Sequence, residues 1–220
     1  MEDGFLGFKI EDRWDHENGF YLTAEPSRIG KLIAQYELYK TIVSLPGHVV
    51  ECGVFKGASF IRFATYRDLL ENQASRRLIG FDAFGRFPAP GGEEDRAFVK
   101  GFEAAAGEGI SQEELEAVLA YKQVGNYELV PGNILETVPE YCWDKPELKI
   151  ALLHIDVDVY DATYAILENM FRHVVKGGLI LFDDYSTIAG ETKAVDEFFA
   201  GKGYEIEKLS YSPTPSYLRK

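Results

Sequence analysis

Two short runs concentrate the chemistry of this chain. "LLHIDVDVYDAT", Leu152 to Thr163, ends an apolar stretch with Asp156 and Asp158, and "GLILFDDY" ends another with Asp183 and Asp184. Residues i and i+2 of a strand face the same way, and consecutive strands joined by one helix are commonly neighbours. The spacing therefore predicts four carboxylates converging at the carboxyl edge of a sheet, where such sheets bind ligands. Unrelieved, they would repel and raise one another's pKa. No Arg or Lys lies within either run, and Lys149, Arg172 and Lys176 stand at the wrong ends of their elements. A hard cation with oxygen ligands, Mg2+ first, meets the need. Three carboxylates can hold it, and the fourth is free to act as a base on a substrate hydroxyl. For either pair alone, the alternative is a solvated or helix-capping aspartate.

A second constellation lies upstream. "VVECGVFKGAS" sets Glu51, Gly53, Gly57 and Ser59 between a strand and a helix. Gly53 permits a tight turn, and Gly57 opens a helix whose N-terminal amides attract anionic groups. The spacing is not G-x-G-x-x-G, which counts against a dinucleotide. An acid just before the first glycine suits a ligand with an ammonium group, such as S-adenosylmethionine. "LIGFDAF" then puts Asp82 at the tip of the next strand, about thirty residues after Glu51. An acid there can accept hydrogen bonds from ribose hydroxyls, or it can cap local amides. His154, two residues before Asp156, is either a core histidine or a support for the site.

The elements that must carry these residues alternate. Apolar strands at "HVVECGVF", "RRLIGFDAF", "YELVPG", "KIALLHIDVDVY" and "GGLILFDDY" are separated by helical patterns at "GASFIRFATYRDLLEN", 134–140, 161–175 and about 190–201, after a helix over Ser27 to Leu45. That rhythm means a mostly parallel sheet covered by helices on both faces. The C-terminal segment reads as an antiparallel strand pair. Residues 1–26 read as an aromatic-bearing arm and 27–220 as one domain. An insertion at about 85–125, loop-like at its start and helical at its end, has the position of a lid.

Composition narrows the partners. A net charge of −13 argues against nucleic acid, and no apolar run reaches membrane-spanning length. Cys52 and Cys142 lack metal-ligand spacing and read as buried thiols of a reducing compartment. The acidic N-terminus is no signal peptide; a cytoplasmic protein is expected.

Taken in order, "VVECGVFKGAS", "GFDAFGRFP", "LLHIDVDVYDAT", "GGLILFDDY" and "ETKAVDEFF" resemble the macrocin O-methyltransferase family of metal- and S-adenosylmethionine-dependent sugar methyltransferases. The resemblance implies a class I methyltransferase, Rossmann-like fold: a mostly parallel seven-stranded sheet closed by a C-terminal antiparallel hairpin, with a lid after strand 2. It implies Mg2+ on Asp156, Asp183 and Asp184, and Asp158 as general base. Glu51, Gly53, Gly57, Ser59, Asp82 and Asp156 would serve the donor, and Tyr21 and Thr23 would close over it. The acceptor would be a deoxysugar hydroxyl, on a sugar nucleotide or a glycosylated natural product, and self-association is common in the family. "AFGRFP" departs from many relatives, and its Arg86 is either a solvated loop arginine or a group that meets a sugar-nucleotide phosphate. A catechol-type methyltransferase shares the metal logic. A haloacid-dehalogenase-type phosphatase matches "IDVDV" but leaves the glycine loop and Asp82 without a role. A nicotinamide-dependent dehydrogenase or a non-catalytic binding domain complete the alternatives.

Overall fold

The alternation resolves into nine strands and eight α-helices in the computed structural model, which describes residues 4–220. A hairpin of β1 (Gly4–Phe5) and β2 (Phe8–Lys9) precedes α1 (Arg13–Thr23) and α2 (Pro26–Lys40). Then follow β3 (His48–Cys52), α3 (Ala58–Leu70), β4 (Leu78–Asp82), α4 (Glu93–Ala106), α5 (Gln112–Tyr121) and β5 (Tyr127–Pro131). The chain continues through α6 (Ile134–Asp144), β6 (Ile150–Ile155), α7 (Tyr160–Met170), β7 (Val174–Phe182), α8 (Ala189–Phe199), β8 (Glu207–Lys208) and β9 (Ser216–Arg219).

The main sheet has seven strands in the order β5-β4-β3-β6-β7-β9-β8. β3 to β7 pair in parallel, and β9 alone runs against its neighbours, so the expected C-terminal hairpin closes the sheet. Strand order reverses between β3 and β6, which opens a crevice at their carboxyl ends. The apolar runs are continuous because both faces are covered. Val50, Cys52, Leu153, Ile155, Ile180 and Phe182 pack with α6, α7 and α8. Val49, Leu152, Leu179 and Leu181 pack with α2, α3 and α5.

Several local expectations change. β6 ends at Ile155 rather than running to Tyr160. The Asp156 amide still donates to Cys52 O at 2.9 Å, but Val159 N then turns back to Val157 O at 2.6 Å. Asp158 takes a left-handed φ of +63°. The first aspartate pair therefore converges through a turn, not through strand alternation. The helix after β6, α7, is also shorter than expected, because the chain passes through a 3-10 turn at Phe171–His173 into β7. The insertion holds two helices. α5 starts on Ser111, whose side chain accepts from Glu114 N, and it buries Leu115 and Leu119 in the core instead of covering the crevice. The N-terminal segment folds α1, which has no buried residue. No helix among the described residues is long and apolar enough to cross a membrane.

Candidate active site

The crevice is a cavity of about 590 Å³ with the glycine loop and Asp82 on one side and all four aspartates on the other. Asp82 shapes the donor side. Its Oδ2 accepts the amides of Val54 at 2.7 Å and Phe55 at 2.9 Å, and its Oδ1 accepts that of Phe84 at 2.7 Å. The carboxylate thus caps local amides and still faces the cavity. Gly53, at φ +90°, is required by packing: a Cβ there would lie 1.8 Å from Asp156 O. The donor loop and the aspartate turn are pressed together at this glycine. Ser59 lines the cavity, whereas Gly57 sits behind it as the left-handed cap of α3.

Glu51 does not line the cavity. It is wholly buried, with Oε1 3.0 Å from His154 Nδ1, and its Oε2 has no hydrogen-bond partner. His154 Nε2 lies 3.2 Å from Asp183 Oδ1. Burial alone would lower the His154 pKa, but its hydrogen bonds with Asp183 and Glu51 outweigh burial and raise it to about 10. The ring is an imidazolium that donates to both carboxylates. Tyr21 and Thr23 lie on exposed α1 and do not line the cavity. Arg86 stands at the rim in an ion pair with Glu108 at 2.7 Å.

The aspartates fall into two overlapping groups. Ligand atoms of Asp156, Asp158 and Asp184 lie within 4.8 Å of one another, as do those of His154, Asp156 and Asp183. The triad Asp156, Asp183 and Asp184 is therefore divided, with Asp156 common to both groups. Burial and the charge of Asp183 push the Asp156 carboxyl well above the usual range. Burial and Asp184 push Asp158 up to about 8, and burial and Asp183 raise Asp184. Asp183 goes the other way: burial would raise it, but the His154 hydrogen bond and the Lys31 charge hold it well below the carboxylate range.

Lys31 was not legible as a site residue. Its ammonium pairs with Asp183 Oδ2 across 152 residues of sequence. The positive charge that the two aspartate runs themselves lack thus comes in part from a lysine on α2. The available signal was its place on the buried face of α2, three and four residues before Ala34 and Gln35, which are buried. Glu191 was also missed. It is buried at the start of α8, and its Oε1 accepts the Asp184 amide at 3.0 Å. Even with Lys31 and His154 present, burial first and the neighbouring aspartates second raise three of the four carboxyls. A buried, oxygen-rich donor set of this kind fits a hard divalent cation.

The cover is joined to this corner. Phe87, Phe98 and Phe102 give it an apolar inner wall. Asp95 Oδ2, on α4, accepts Tyr160 N at 2.9 Å, and Asp161 Oδ2 accepts Gly91 N at 3.2 Å. Asp95 thereby caps α7, whose own N-cap residue Val159 provides no side-chain bond.

The profile of the macrocin-O-methyltransferase (TylF) family matches residues 29–211. An 8-demethyl-8-(2,3-dimethoxy-alpha-L-rhamnosyl)-tetracenomycin-C 4'-O-methyltransferase of Streptomyces olivaceus is 28% identical over 147 residues, covering 64% of this chain and 54% of that protein. Demethyldecarbamoylnovobiocin O-methyltransferase of Streptomyces niveus is 28% identical over 171 residues, covering 71% of this chain and 60% of that one. The chain thus spans between half and two thirds of the length of these curated relatives. Among solved structures, CalS11, described as a TDP-rhamnose 3'-O-methyltransferase of calicheamicin biosynthesis, superposes with a TM-score of 0.70 at 28% identity, over 97% of this chain and 87% of its own. With the profile running from α2 to the loop before β9, the chain belongs to the macrocin O-methyltransferase family.

Proposed function

We propose that the protein is an S-adenosylmethionine-dependent O-methyltransferase, of the EC 2.1.1 class, acting on a deoxysugar hydroxyl with the help of Mg2+. The acceptor is a nucleotide-activated 6-deoxyhexose, for instance at its 3-hydroxyl, or a glycosylated natural product. The observation that carries this reading is the single cavity shared by Asp82 with its glycine loop and by the aspartate cluster. The rhamnosyl and TDP-rhamnose acceptors named for similar proteins favour a sugar over a planar diol.

In this reading Asp82 receives the ribose hydroxyls, and Gly53 and Ser59 border the rest of the donor. Asp156, Asp183 and Asp184 would hold the cation, with Asp156, common to both groups of ligand atoms, at the centre of the set. S-adenosylmethionine supplies the methyl group, and the cation supplies positive charge that makes a nearby hydroxyl more acidic. Asp158 takes the acceptor's proton at a carboxylate oxygen. Its left-handed backbone, whose carbonyl accepts Glu191 N at 3.1 Å, fixes the direction from which it does so. The aromatic wall of the cover keeps water from competing with the acceptor. Residues 27–220 form the catalytic domain, and residues 1–26 form an arm that must move for Tyr21 and Thr23 to approach the donor.

Calorimetric titration with S-adenosylmethionine and with NAD, each with and without Mg2+, tests the donor. Methyl-labelled donor offered with TDP-rhamnose and with a rhamnosylated aglycone then tests the acceptor. Binding of NAD in place of S-adenosylmethionine would sink the proposal.

A further inference from the structure

We infer that Lys31 is a built-in counter-ion of the aspartate cluster, which occupies Asp183 until a divalent cation displaces it. This rests on the metal-binding reading above and adds a residue to it. The Lys31 ammonium is paired with Asp183 Oδ2, with only 14% of its side chain exposed. It lines the same cavity as Asp156, Asp183 and Asp184, the three carboxylates assigned to the cation. Asp183 Oδ1 is taken by His154, so Oδ2, the oxygen Lys31 holds, is the one a cation would need.

Position on the helix makes the lysine a fixed fitting. α2 is anchored by Ala34, Gln35, Leu38 and Tyr39, all buried, and Tyr66 Oη donates to Leu32 O at 2.9 Å. Its backbone cannot follow the ammonium outward. The long side chain can, because it lines the open cavity, and a change of rotamer is enough to vacate Asp183. In the metal-free protein the ammonium keeps four buried aspartates from forcing the corner apart. On metal entry one positive charge leaves the cluster as two arrive. The cation then binds against a resident competitor, and its apparent affinity is lower than the four carboxylates alone would give.

The test is calorimetric titration of full-length protein with Mg2+ at pH 8, comparing wild type with Lys31→Met. The variant should bind at least about tenfold more tightly. It should melt lower than wild type without metal, and the difference should shrink or reverse at saturating Mg2+. A second measurement uses the wild type alone. An amine-acetylating reagent read by mass spectrometry should modify Lys31 slowly without metal and several-fold faster with Mg2+, with the exposed Lys40 unchanged as a reference. Equal or weaker Mg2+ binding by the variant overturns the inference while leaving the metal site standing, and so does labelling of Lys31 that Mg2+ leaves unchanged. Failure of both proteins to bind Mg2+ or Mn2+ overturns the metal reading and this inference together.

Discussion

Replacing His154 by Leu isolates the buried bridge between the two halves of the site. The wild-type imidazolium contacts Glu51 Oε1 at 3.0 Å and Asp183 Oδ1 at 3.2 Å with no exposed surface. Leucine nearly preserves volume and removes both bonds. Asp183 keeps Lys31, but Glu51 is left without a partner among the described residues, since its Oε2 already has none. Removing one member of a buried charged pair costs about 3–5 kcal/mol, and the surviving Lys31 contact places this case toward about 3–4. For a chain of this length, 1 kcal/mol corresponds to about 2–4 °C, so the melting temperature should fall by about 6–16 °C. Urea unfolding at pH 7, followed by circular dichroism, measures the loss. The sign of its pH dependence is also fixed. The folded pKa of about 10 lies above the ordinary histidine value of 6.5. The contribution is therefore complete below pH 6.5 and is lost as pH rises through 10, so the gap between the two proteins should close toward pH 10. A loss below about 1 kcal/mol, no more than an average point substitution costs, would refute the charged bridge. So would a gap that stays constant from pH 7 to pH 10.

Three further outcomes are expected. Asp158→Asn should retain donor binding and still take up Mg2+, with an affinity altered by the lost carboxylate charge, but slow single-turnover methyl transfer at saturating Mg2+ by at least about 100-fold, the usual scale of a lost general base; a near-wild-type rate would remove Asp158 from that role. Because Asp158 is pushed up to about 8 in the metal-free protein, Mg2+ affinity should rise between pH 6 and pH 8.5 with release of protons, read by calorimetry in buffers of different ionisation enthalpy; no proton release at pH 7 would contradict the shift. Gly53→Ala should cost more than about 2 kcal/mol through its left-handed backbone and the collision with Asp156 O, and thermal melting with a Mg2+ titration would show whether stability and metal affinity fall together.

What the sequence discloses here follows from range. The parallel strands are readable because burial on both faces leaves near-continuous apolar runs, as in "IALLHI". The donor and metal motifs are readable because their residues are local, two aspartates to a strand tip. Lys31 and Asp183 are 152 residues apart, and although "GKLIAQYELY" puts Lys31 on the face of Ala34 and Gln35, it does not say which carboxylate the lysine meets. The left-handed Asp158 is hidden for a different reason. Its conformation is imposed by α8, whose Gly190 admits the Asp158 carbonyl so closely that a Cβ there would lie 2.9 Å away. α4 was obscured by the Gly- and Pro-rich start of the insertion. Its docking depends on Asp95 finding a helix terminus 65 residues later, a pairing that periodicity does not encode.

That last contact bears on how acceptor range could be re-engineered. A cover that only lay over the cavity could be exchanged for another like an interchangeable cap. Here Asp95 supplies the missing cap of α7, and α7 begins two residues after Asp158. A transplanted cover lacking a carboxylate at that point would leave the first turn of α7 free to fray, and the aspartate turn would lose its downstream anchor. Loop grafts intended to change only which sugar fits would then slow proton removal for every sugar. A graft that carries Asp95, and Gly91 to meet Asp161, would let acceptor choice and reaction rate be varied separately.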